Sequence, residues 1–143
     1  MSYALQQFTQ QLIADGIPIS GVSLQNDPPT NIPSDITIRY QESATQDQIT
    51  QGNAAISSFN WNMQPPSVSS FITAIRAEPT FTSEIRIGLA GLLGLLQMDV
   101  SNSIAAQQDW DDAVATYGSS WLTSAVQTKV LDYASQYDIP IHA

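Results

Sequence analysis

One segment constrains this chain more than any other: Ile-Gly-Leu-Ala-Gly-Leu-Leu-Gly-Leu-Leu-Gln-Met, residues Ile87 to Met98. An uncharged run of that kind must leave water. It is about 12 residues long, short of the ~20 that a membrane-spanning helix needs. The expectation is therefore the central helix of a bundle, buried on most sides, with no membrane span. Gly88, Gly91 and Gly94 recur at every third position. On a helix they form one slowly drifting stripe, which permits close backbone approach within the chain or to another subunit.

Around that run the periodicity is mostly helical. Tyr3 to Ala14 places Leu5, Phe8, Leu12 and Ile13 opposite a glutamine-rich face, with Gly16 as a left-handed stop and Pro18 beyond it. Ile19–Gln25 and Ile36–Gln41 read as two short strands that pair, the second alternating Ile36, Ile38 and Tyr40 with Thr37 and Arg39. The Asn26–Pro33 stretch between them is a loop. A helix begins at Thr45, where Gln48 stands at capping-box spacing and Asp47 sits in the first turn. Its stripe is Ile49, Gly52, Ile56 and Phe59, and Gly52 invites the approach of another backbone. Pro65-Pro66 favours an extended segment. The division is placed there, giving residues 1–62 as an N-terminal α/β portion and 63–143 as a C-terminal helical portion.

Further helices are expected from Val68 to the stop at Glu78-Pro79, over Phe81–Met98, from after Ser101 to about Tyr117, and over Trp121–Tyr137, before an extended tail. The fold class is mainly α with a small N-terminal α+β portion: two paired strands, about six helices and a C-terminal helical bundle.

Composition narrows the function. Charged residues make up 12% of the chain, about half the usual share, and the net charge is −9. Arg39, Arg76, Arg86 and Lys129 are the whole positive complement, too few for a phosphate-binding patch, so no direct nucleic-acid contact is expected. The polar surface falls instead to residues such as the 15 Gln and 17 Ser, which cost less to desolvate than Lys and Glu and suit wide protein contacts; lineage bias in composition is an equal alternative. The start of the chain lacks the basic and apolar pattern of a signal peptide.

Catalytic signatures are missing. With no cysteine, thiol chemistry and Cys-ligated zinc are excluded. The single histidine, His142, sits one residue from the C-terminus, in a tail expected to fray. No Gly-x-Ser-x-Gly elbow, Ser-x-x-Lys or Gly-Lys-Ser/Thr loop occurs. Glu42, Glu78 and Glu84 carry no local mark of a hydrolytic pair. Asp109, Asp111 and Asp112 lack cation-loop spacing. On a helix Asp109 and Asp112 share a face while Asp111 points elsewhere, so the cluster reads as a solvated negative face. No enzyme activity, metal or cofactor is expected.

Ile36-Thr-Ile-Arg-Tyr40, Ser43-Ala-Thr-Gln-Asp-Gln48 and Ile56-Ser-Ser-Phe-Asn-Trp61 together resemble a strand–helix–Phe-Asp-Trp pattern of small virion proteins of tailed bacteriophages, with Asn60 where that pattern has Asp. The resemblance implies a structural or adaptor component of a tail, baseplate or tail fibre. Such a component is assembled in the host cytoplasm, held in the virion, and partnered with other phage structural proteins in a homo- or hetero-oligomer. A tail-fibre assembly chaperone and a capsid decoration protein remain alternatives; a lysis enzyme is the least expected. It carries over no functional residue. Gly88, Gly91, Gly94, Trp110 and Trp121 are the candidate interface, and Phe59 and Trp61 a candidate second contact surface. For the tryptophans, core positions are the simpler expectation.

Overall fold

The computed structural model describes residues 2–143. Six helices and a two-stranded antiparallel sheet follow in the order α1 (Tyr3–Ala14), β1 (Ile19–Leu24), β2 (Ile36–Tyr40), α2 (Gln46–Ser58), α3 (Val68–Ala77), α4 (Ser83–Asp99), α5 (Ser103–Tyr117) and α6 (Ser124–Gln136). The protein is thus mainly α with a small β portion. Two compact units divide between Gln64 and Pro65, two residues beyond the division placed from the sequence.

In the N-terminal unit, α1 ends where Gly16 adopts φ +75, a conformation open to glycine because it has no Cβ. The strands pair in the register Val22↔Ile38, with an irregularity between Ile19 and Gly21. One face of this pair is covered by helices, because two strands alone are marginal in water. Phe8 and Leu12 of α1, Ile36 of β2, Ile56 of α2 and Trp61 form the buried centre. The Thr45–Gln48 capping box is reciprocal: Gln48 N–H donates to the Thr45 hydroxyl at 3.2 Å and Thr45 N–H to Gln48 Oε1 at 2.8 Å. Gly52 does not admit a backbone, as its place in the helix suggested. The Tyr40 hydroxyl occupies the space instead, where a Cβ would stand 2.4 Å from it, and bonds to Asn53 Oδ1 at 2.8 Å.

The loop before β2 is organised by Asp35, which is 4% exposed. Its Oδ2 accepts from the backbone N–H groups of Thr30 and Asn31 at 3.0 and 2.9 Å, and from Asn26 Nδ2 and the Thr30 hydroxyl at 3.1 Å each. The Asn31 amide and then Asn26 lead in holding its carboxyl below the usual aspartate value. Its contribution is present above that usual value and fades as the pH falls through the lowered one. In an Asp35→Ala chain the Thr30 and Asn31 amides should lose hydrogen-exchange protection while α5 amides keep theirs. Unchanged protection at both amides would refute this clamp.

In the C-terminal unit, α3 packs on α4 and α6, and α4 on α5. Leu89, Leu93, Leu96, Trp110, Leu122 and Val130 are among its buried residues. The Trp121–Thr123 segment precedes α6 rather than opening it, because the Thr123 hydroxyl accepts from Val126 N–H and caps the helix there. At the other end Asp138 takes φ 58 and Ile139 N–H reaches back to the Ala134 carbonyl at 2.8 Å. The tail that follows is not frayed. Ile139 and Ile141 are buried, and the Gln107 side chain both donates to the His142 carbonyl and accepts from its N–H, each at 2.9 Å. Among the described residues no helix is long and apolar enough to cross a membrane.

Candidate functional site

The apolar run does become a helix, but it is not buried on most sides. Leu89, Leu92, Leu93 and Leu96 are the buried residues of α4, and Ile85 packs partly buried against the same core. Ile87 and Met98 are each 77% exposed and Leu95 is 50% exposed. Ala90, Gly91 and Gly94 lie exposed between them. At 100° per residue these side chains make one stripe, about 16 Å long at 1.5 Å per residue. The reason is the number of neighbours. A helix that packs chiefly on α3 and α5 buries about one side.

The three glycines then part company. A Cβ on Gly88 would lie 2.3 Å from Trp121 Cε2, so the indole rests directly on that backbone. A Cβ on Gly91 or Gly94 would meet nothing within 4 Å. Trp121 also leans on Tyr117, ring centroids 5.1 Å apart.

Beside the stripe runs a groove of about 270 Å³ between α4 and α5. Val100–Asn102 joins these helices so closely that they must fold back as neighbours. Gly88, Gly91, Leu92 and Leu95 line it from α4, and Asp109, Asp112, Ala113, Thr116 and Tyr117 from α5. Asp109 and Asp112 share this face, as their spacing predicts; the exposed Asp111 carboxylate instead takes a bond from Gln107 at 2.9 Å.

Asp109 is not a solvated surface acid, contrary to the sequence expectation. Its Oδ2 is buried with no hydrogen-bond donor. Burial raises its pKa most; the facing carboxyl of Asp99 adds to this, and Asp112 contributes repulsion, bringing it to about 6. Two carboxyls can bond each other only by sharing a proton. Asp99 had no mark in the sequence, since it lies across the α4–α5 turn from its partner. Among the described residues no group of three acidic or histidine side chains is placed to hold a metal ion.

The other expected contact residues divide by burial. Trp110 is 2% exposed and belongs to the core of its unit, so the candidate interface loses it. Trp61 is 4% exposed and its indole N–H donates to the Ile56 carbonyl at 2.9 Å. Phe59 is half-buried against Phe8 and Trp61, with centroids 5.1 and 4.8 Å away. Trp61 therefore belongs to the N-terminal core, and Phe59 packs partly buried against it. Of the glutamates, Glu78 is buried, and its neighbour is Lys129 at 3.3 Å, an ion pair rather than two acids across a cleft.

Comparison with protein-family models, with curated proteins and with solved structures gives no match.

Proposed function

We propose that this chain is a structural or adaptor component that works by protein–protein packing and not by catalysis, with the outer face of α4 as its contact surface. The observation that carries the reading is the uninterrupted apolar stripe from Ile87 to Met98, whose two end residues are the most exposed large hydrophobics of the described chain. Water contact at such a stripe is unfavourable, and contiguous exposed apolar surface marks interaction sites. The setting comes from the resemblance at residues 36–61: a tailed-phage virion, in the tail, baseplate or tail fibre, among other structural proteins of the particle.

Mass spectrometry of purified particles tests the setting. The chain should be present at a fixed ratio to the tail proteins; its absence would overturn a virion role. The contact surface is tested by Ile87→Glu with Met98→Glu. The isolated variant should melt like the parent, because both side chains already lie in water. Its incorporation into particles should fail. Normal incorporation would remove α4 as the packing surface.

A further inference from the structure

We propose that the α4–α5 groove receives an amphipathic helix of a different, basic protein, seated along Ile87–Met98 and held in register by an arginine entering between Asp109 and Asp112. This rests on the reading of α4 as a packing surface and adds the chemistry of its occupant.

Shape comes first. Gly91 and Gly94 leave open space where side chains would stand, so a second helix can approach α4 closely. Leu95 and Tyr117 wall the groove and offer apolar contact to either side of an incoming residue. A stripe of about 16 Å matches three turns of a partner helix, which would present apolar side chains at i, i+3 and i+7.

Charge then selects the occupant. Asp109 and Asp112 stand together in the groove wall, whose other lining is apolar but for Thr116 and the Tyr117 hydroxyl. One Asp109 oxygen is buried without a donor, and Asp112 Oδ1 accepts from Gln108 Nε2 at 2.7 Å. An apolar pair there would pack without that repulsion. The chain's own cations are placed elsewhere. Lys129 pairs with Glu78, Arg86 donates to the Glu78 carbonyl at 3.1 Å, Arg76 ends α3, and Arg39 lies over Gly21 in the N-terminal unit. A second copy would bring the same few cations and another net charge of −9. Charge complementarity therefore favours a basic chain over self-association. Guanidinium suits the site better than ammonium, because its planar fork can bond two carboxylates at once.

The test uses the full chain and a labelled helix-forming peptide of about 14 residues, or four turns. Leucines at i, i+3 and i+7 flank a central arginine; a second peptide carries neutral citrulline in its place. Fluorescence anisotropy should show the arginine peptide binding at least about tenfold more tightly, about 1.4 kcal/mol. Asp109→Asn with Asp112→Asn should erase that difference, and Gly91→Leu, which fills the groove, should release both peptides. Equal binding of the two peptides would overturn the arginine while leaving α4 as a packing face. Binding of neither would overturn the proposal. So would a dimer of the chain in sedimentation that Gly91→Leu dissociates, which would make a second copy the occupant. The Ile87→Glu, Met98→Glu incorporation experiment reads the packing face separately from all of these.

Discussion

Replacing Gly88 by alanine should destabilise the C-terminal unit by about 1–3 kcal/mol, while the same change at Gly91 or Gly94 should stabilise it by about 0.5–1 kcal/mol. All three lie on the same helix at the same spacing. Alanine is the better helix former at each, so propensity alone favours every one of these changes. At Gly88 that gain is outweighed. The new methyl would stand 2.3 to 2.6 Å from three atoms of the Trp121 ring, and the indole would have to leave its seat. Moving it also breaks the contact with Tyr117. Gly91 and Gly94 have no such neighbour, and only the entropy of the unfolded chain and the exposed backbone change. Urea unfolding of the three single variants measures the signs. A Gly88→Ala chain as stable as the parent would show that Trp121 does not depend on that backbone.

The C-terminal unit should lose stability as the pH rises through about 6, and Asp109→Asn should remove that loss. A carboxyl whose pKa rises from 3.8 to about 6 on folding holds its proton more tightly in the folded state. Its stabilising contribution is complete below the unfolded value and is gone above the folded one. Because the side chain is partly exposed, solvent screening reduces the effect to about 1–2 kcal/mol. Asparagine supplies an N–H donor toward Asp99 at any pH and carries no charge against Asp99 or Asp112. Thermal or urea melts at pH 5 and pH 8 should show the parent weaker at the higher pH and the variant level. A parent insensitive to pH in this range, or a variant no more stable at pH 8, would refute the shared-proton account. Asp35 responds in the opposite sense, since its lowered pKa makes the N-terminal unit weaken in acid. The two units should therefore separate in pH-dependent melting, and exchange protection read unit by unit distinguishes them. An arginine docked between Asp109 and Asp112 would favour the deprotonated Asp109, so the same position links stability and binding.

Much of the architecture was legible because it depends on near neighbours in the chain. The capping box at Thr45 and Gln48 is one helical turn of backbone geometry, and it formed as its spacing indicates. The positive φ at Gly16 and the alternation of Ile36, Ile38 and Tyr40 against exposed Thr37 and Arg39 are local in the same sense. The start of α6 was misplaced by three residues for a local reason too: Thr123 offered a cap and Trp121 an apolar start, and the hydrogen bond to Val126 N–H favours the cap.

The candidate site was legible only in outline. Asp109 and Asp112 share a helix face by simple geometry, and that much could be read. Asp99 opposite Asp109 could not, because their meeting depends on how the Val100–Asn102 turn returns α5 along α4. Nor could burial of the tryptophans be told apart. Trp110 and Trp121 are alike in chemistry, but Trp110 faces the core of its unit while Trp121 rests half-exposed on Gly88. The tail at His142 looked free because its holder, Gln107, stands 35 residues away.

By itself, then, the sequence determined the class of fold, the helices and strands, the low charge and the lack of cysteine, since each follows from composition or from spacing within a few turns. Only the tertiary structure decided which side of the apolar helix stays open, which glycine bears a ring, and which aspartate is buried beside another. Those outcomes depend on the elements that surround a residue, and a helix of uniformly apolar sequence does not record which of its faces a neighbour will cover.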